Sequence, residues 1–228
     1  MYLSRIEINQ QRRETIKAMS SPQIMHGAVA ACFPASKNED MRSLWRVDRL
    51  NNSCYILLQS LFKPDCTHIV EQFGWPATDQ TWETKEYGDF LSRLENGQTW
   101  HFRLTANPTH SVCDGDKGKR GKVFAHVSVG QQKKWLLDKA GKCGFELVKS
   151  EFNFSEDCPE ENKYEFNIVQ REIRKFKRDE KQKPVIIAYA TFEGLLKIKD
   201  IELLRNTLVS GVGRAKAYGC GLLTLARP

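Results

Sequence analysis

The spacing of apolar and polar positions changes period several times along the first ninety residues, and each change predicts an element. Residues 2–9, YLSRIEIN, alternate with the period of two expected of a half-buried strand. The next stretch, RRETIKAMSSPQIMHGAVAACF, reads as a loop followed by a helix, with Ser20 or Ser21 at the N-cap and Pro22 in the first turn. SLWRVDRL and SCYILLQSL flank Asn51-Asn52, a dipeptide that tolerates positive φ, and together they predict a hairpin. A short helix near 65–74 and a strand near 82–87 complete the order β-α-β-β-α-β, which is that of a ferredoxin-like domain.

After LENGQ, a turn-rich joint at 94–98, the pattern recurs on a larger scale. TWHFRLTANPT is a strand ending at Pro108, GQQKKWLLDKAGKCG a helix ending at Gly144, and FELVKSEFNF a further strand. KYEFNIVQREIRKF and PVIIAYATFEGLLKI form a long hairpin around the charged tip KRDEKQK. Ile201, Leu204, Leu208 and Val212 recur at helical spacing, and CGLLTLA is the closing strand. The expected class is α+β: two tandem ferredoxin-like, RRM-like βαββαβ domains, the first over 1–96 and the second over 97–228.

Composition adds the class of partner. With 40% hydrophobic and 28% charged residues, the chain of 228 residues is expected to be a soluble globular protein rather than a disordered one. VIIAYATF at 185–192 is the longest strongly apolar run and the N-terminus lacks the pattern of a signal peptide, so a cytoplasmic protein with no membrane association is expected. Seven cysteines without a C-x-x-C pair suggest reduced, mostly buried thiols, and no cofactor or metal is implied. The net charge of +7 favours a polyanionic partner.

The closing GVGRAKAYGCGLLTLARP places Arg214 and Lys216 in a glycine-rich turn suited to embracing phosphate. It fails the P-loop pattern, and Lys216 occupies the third glycine position of G-x-G-x-x-G. The turn also precedes the last strand instead of following the first, which disfavours a mononucleotide fold. DKGKRGKVFAHV carries Lys117, Lys119, Arg120 and Lys122, and REIRKFKR carries Arg171, Arg174, Lys175, Lys177 and Arg178. Such runs are ordinarily solvated faces. His68, His101, His110 and His126 lack metal-ligand spacing and are read as structural or solvated, and Trp45, Trp82 and Trp135 as core.

Three stretches, MYLSRIEI at 1–8, FRLTANP at 102–108 and GVGRAKAYGCGLLTL at 211–225, together resemble the CRISPR-associated endoribonuclease of the type I-E system, the CasE family. HGAVAACFP at 26–34 is similar to that family's first-helix segment, so the resemblance runs the length of the chain. It implies a metal-independent RNase that cuts precursor CRISPR RNA at the 3′ base of the repeat hairpin. The mature guide RNA is retained, with the protein, monomeric when free, joining other Cascade subunits. The 2′-hydroxyl of RNA is the nucleophile in such a reaction and leaves a 2′,3′-cyclic phosphate, so the protein supplies proton transfer and charge stabilisation.

The resemblance makes His26, whose pKa class suits acid–base work, the catalytic residue. Some members carry Tyr three residues earlier, where this chain has Gln23, which can hydrogen-bond phosphate but is no practical acid or base. A slow single-histidine reaction helped by Lys or Arg follows, and a non-catalytic guide-RNA scaffold of the same fold is the alternative. RNA contacts are expected from Gln23, from Arg103, and from Gly211, Gly213, Arg214 and Lys216 of the closing loop. The basic runs add Lys119, Arg120, Arg171, Arg174, Lys175, Lys177 and Arg178, those of the hairpin lying along the duplex stem.

Overall fold

The computed structural model describes residues 1–33, 43–75, 82–112, 121–177 and 182–228. The chain forms two compact units, of which the first comprises Met1–Arg93, Lys175–Val185 and Ala215–Leu222 and the second Leu94–Arg174, Ile186–Arg214 and Leu223–Pro228. A linear division at residue 96 lacks the two returns of the chain to the first unit.

In the first unit β1 (Tyr2–Ile8) is followed by α1 (Arg13–Ser20), α2 (Pro22–Ala30), β2 (Leu44–Leu50), β3 (Ser53–Ser60), α3 (Thr67–Phe73), β4 (Trp82–Glu86) and a short α4 (Gly88–Ser92). The antiparallel sheet runs β2-β3-β1-β4, the ferredoxin-like order. Alternation sets its faces: Ser4, Ile6 and Ile8 of β1 are buried, and Ile6 pairs with Ile56 of β3. The β2–β3 hairpin turns at Asn51 and Asn52, with φ of 48° and 66°, as the dipeptide predicts. Met25 and Val29 of α2 join Ile6, Ile56, Leu58, Ile69 and Phe73 in one core.

Residues 13–20, expected as loop, are helical. Only Thr15 and Ala18 of α1 are buried, and the Thr15 hydroxyl donates to Phe73 O at 3.0 Å, while Ile16 points outward at 56% exposure. Thr15, Ala18 and Met19 form its inward face, a short stripe of small or half-buried residues that eight positions carry only weakly in sequence.

The second unit contains β5 (Thr99–Ala106), β6 (Thr109–Val112), β7 (Lys122–Ala125), α5 (Val129–Ala140) and β8 (Phe145–Leu147). It also contains most of β9 (Phe166–Phe176) and β10 (Val185–Ile198), then α6 (Ile201–Ser210) and β11 (Leu223–Ala226). Its main sheet runs β11-β5-β10-β8, the same strand order as in the first unit, with β9 paired to β10 as an addition and β6–β7 a separate hairpin. The two units are therefore tandem ferredoxin-like folds. Trp135 stacks on Phe192 at 6.2 Å between ring centroids, and Phe102, Leu104, Phe145, Leu196, Leu204 and Leu208 are buried.

Two strands depart from expectation. The predicted strand over 145–154 stops at Leu147: beyond it the chain keeps a bond from Val148 N to Leu195 O at 3.1 Å and the isolated bridge Lys149 to Tyr164, and Phe152 is 79% exposed. The closing strand starts at Leu223 rather than Cys220, since Gly219 and Gly221 adopt φ of 81° and 94°, outside strand geometry. No helix among the described residues is long and apolar enough to cross a membrane.

Candidate active site and RNA-binding residues

Within the first unit, α2 turns Pro22, Met25 and Val29 into the core, so Gln23 and His26, three residues apart, share its half-buried flank. Against that flank stands Tyr218, from the single turn of 3₁₀ helix at Lys216–Tyr218. Its ring meets the His26 ring edge-on, with centroids 5.9 Å apart and planes at 66°. Its hydroxyl donates to Gln23 Oε1 at 3.3 Å. On another side Tyr218 meets Phe176, at 4.9 Å and 65°.

The turn is fixed from behind by β2. The Trp45 indole N–H donates to Ala217 O at 3.2 Å, and Arg46 Nη1 donates to Leu222 O at 2.8 Å. Arg46 is 2% exposed, and Asp48 answers its charge through two bonds of 2.7 Å. Gly219 leaves the turn at φ 81°, and a Cβ there would stand 2.9 Å from Trp45 Cζ3. Only glycine fits a position needing both the left-handed conformation and that close approach.

The sequence-predicted residues fall in different surroundings. Gln23 and His26 contact Tyr218, Lys216 shares its 3₁₀ turn, and Phe176, which touches Tyr218, is flanked in the chain by the exposed Lys175 and Lys177. Gly211, Gly213 and Arg214 belong to the second unit. There Gly211 ends α6, Arg214 is exposed, and a Cβ on Gly213 would lie 3.1 Å from Trp135 Cζ2.

Arg103 of β5 forms an ion pair with Glu193 at 3.1 Å. Arg171 donates to Gln132 Oε1 at 3.0 Å and to Val127 O, while Arg174 forms a fork with Glu172 at 2.6 and 2.8 Å and lies over the Tyr189 ring. These three guanidinium groups thus have partners within their own unit. Lys119, Arg120 and Arg178 lie outside the described residues.

Trp45 and Trp135 are buried, and Trp82 packs against the first core. His68 contacts Ala28 O at 2.8 Å. Among the described residues no group of three or more His, Cys, Asp or Glu side chains is placed to hold a metal ion. Tyr218 was not singled out by sequence. Its signal, in retrospect, is a tyrosine inside a glycine-rich turn, where a large half-polar ring must pack on something.

The fold is that of a tandem ferredoxin-like protein, and its first unit sets an imidazole, a phenol and an amide side by side on one helix flank. The chain belongs to the family described as CRISPR associated protein, whose profile matches residues 1–227. It is 28% identical over 229 residues to the CRISPR-associated endoribonuclease Cse3 of Thermus thermophilus, covering 99% of this chain and 100% of that protein. It is 26% identical over 210 residues to the CRISPR system Cascade subunit CasE of Escherichia coli, covering 89% and 90%.

Among solved structures, it is similar to Thermus thermophilus Cse3 bound to an RNA representing a pre-cleavage complex. That likeness has a TM-score of 0.78 and 25% identity, and covers 99% of this chain and 98% of the other. Cas6e from Escherichia coli matches with a TM-score of 0.62 and 25% identity over the whole of both chains.

Proposed function

We infer that this protein is the endoribonuclease that processes precursor CRISPR RNA, cutting at the 3′ base of the repeat hairpin and keeping the guide RNA as a Cascade subunit. The observation that carries the reading is the placement of His26 against Tyr218 in a chain similar over 99% of its length to a named CRISPR endoribonuclease. His26 takes the proton from the 2′-hydroxyl, whose oxygen attacks phosphorus in line. The new O2′–P bond replaces the bond from phosphorus to the 5′-oxygen, which leaves with a proton taken from solvent water, and the His26 imidazolium returns its proton to solvent. The products are a 2′,3′-cyclic phosphate and a 5′-hydroxyl. Because the substrate contains the nucleophile, no metal-activated water is required.

Lys216, two residues before Tyr218, and Lys175 and Lys177 beside Phe176 supply positive charge along the phosphate path. Gln23 offers hydrogen bonds to phosphate oxygen. Arg103, Arg171, Arg174 and Arg214 of the second unit add RNA contacts, with Gly211 and Gly213 as backbone contacts; Lys119, Arg120 and Arg178 are proposed to bind RNA on the sequence alone.

Single-turnover cleavage of the host repeat hairpin in EDTA tests this reading. The wild type cuts, and His26→Ala lowers the rate by about 100-fold or more, the usual range for a proton-transfer group. A single 2′-deoxy at the cut site abolishes cleavage while binding persists. Tight binding without any cutting by the wild type would contradict the enzyme and favour a guide-RNA scaffold.

A further inference from the structure

We propose that Tyr218 is a positioning residue for RNA cleavage: through its hydroxyl it sets the amide of Gln23, and through its ring it sets the imidazole of His26. This rests on the endoribonuclease reading above and concerns how the residues of the site are held. Tyr218 is 7% exposed, so its phenol is placed to act through its neighbours and not by reaching substrate itself. Those neighbours are the two polar residues on the half-buried flank of α2.

The polarity of the hydroxyl contact has a chemical consequence. The Tyr218 O–H donates to Gln23 Oε1, so the carbonyl end of the amide is committed to the protein and its N–H₂ end is presented outward. An amide turned that way donates to an anionic phosphate oxygen, whereas the opposite flip would place a carbonyl oxygen against it and repel it. The hydroxyl bond thereby holds the Gln23 side chain on this flank, with its carbonyl oxygen engaged and its N–H₂ turned away from the phenol.

The ring contact acts on geometry in the same way. A histidine on a helix flank has several open rotamers, and proton transfer needs one of them held within a fraction of an ångström. The edge-on ring of Tyr218 limits those choices. Tyr218 can do this because it is itself fixed, by Phe176 on one side and by the Trp45 and Arg46 anchors of its turn on the other. Such packing exceeds what a surface turn needs in order to reverse the chain.

A double-mutant cycle on the single-turnover rate at saturating protein, with the half-saturating concentration measured alongside, separates positioning from general support of the fold. The variants are Tyr218→Phe, which keeps the ring, Gln23→Leu, and the pair together. Tyr218→Phe lowers the maximal rate about five-fold, the size expected for one hydrogen bond, and leaves the half-saturating concentration within about two-fold.

In the Gln23→Leu background the same change has no further effect, because the hydroxyl acts through that amide. Tyr218→Leu, which removes the ring as well, lowers the rate further than Tyr218→Phe. An unchanged rate in Tyr218→Phe, or independent multiplying effects of the two substitutions, would overturn the proposal while leaving the enzyme reading intact. A wild type that binds but never cuts would instead refute the enzyme reading and this inference with it.

Discussion

His126, outside the proposed site, shows how surroundings decide the behaviour of a single residue. Its Nδ1 is enclosed without a hydrogen-bond partner among the described residues, and its ring lies 4.7 Å from that of His110. Burial lowers its pKa first, the charge of His110 second, and Asp138 opposes them in part. The folded form therefore binds this proton less readily than the unfolded chain, whose value is about 6.5. Stability from this group is present above that pH and falls as pH drops through it. Thermal melts should thus show the wild type losing more stability between about pH 7.5 and 5.5 than His126→Gln, a window set around the unfolded value; parallel losses would contradict the assignment.

The same dependence on surroundings limited what could be read at His26. Its chemistry was visible in the sequence, but the neighbour that holds it is Tyr218, brought there by chain return rather than by local spacing. Gln23, equally, could be read as a side chain able to hydrogen-bond phosphate, but not as the acceptor of a phenol.

Elements whose signals are local were legible: the Asn51-Asn52 hairpin, α2 with Pro22 at its start, and α6, whose Asp200 side chain caps Leu203 N. Those that rest on distant partners were not. α1 depends on the Thr15 bond to Phe73, and β6 and β7 are exposed along most of their length, so neither face alternates. The turn at 215–222 is also a tertiary creation, held by β2 through Trp45 and the buried Arg46–Asp48 pair. Arg46→Met strands the Asp48 carboxylate and the Leu222 carbonyl together, and should cost about 3–5 kcal/mol in denaturant melts. A loss below about 1 kcal/mol would mean that the pair is not the anchor of the turn, since even a single net hydrogen bond is worth about that much.

Across the whole molecule, the net charge of +7 and the repeated strand order are the features that the sequence carried most plainly, because each is distributed over many residues. Charge alone did not say which cations meet RNA, and the structure shows that some of them already have partners within the protein. Arg174 is already forked to Glu172, whereas Lys175 is exposed next to the site's Phe176. Binding of repeat RNA should weaken linearly in log–log salt plots, and Lys175→Ala should reduce that slope by about one, as for a single phosphate contact. An unchanged slope would remove Lys175 from the RNA surface.

The central claim, that this chain cuts RNA with His26, is met most directly by single-turnover cleavage of the repeat hairpin in EDTA by wild type and His26→Ala at matched binding. The account predicts cutting by the wild type and a rate lower by about 100-fold or more in the variant. Equal rates, or binding with no cutting by either protein, would contradict it.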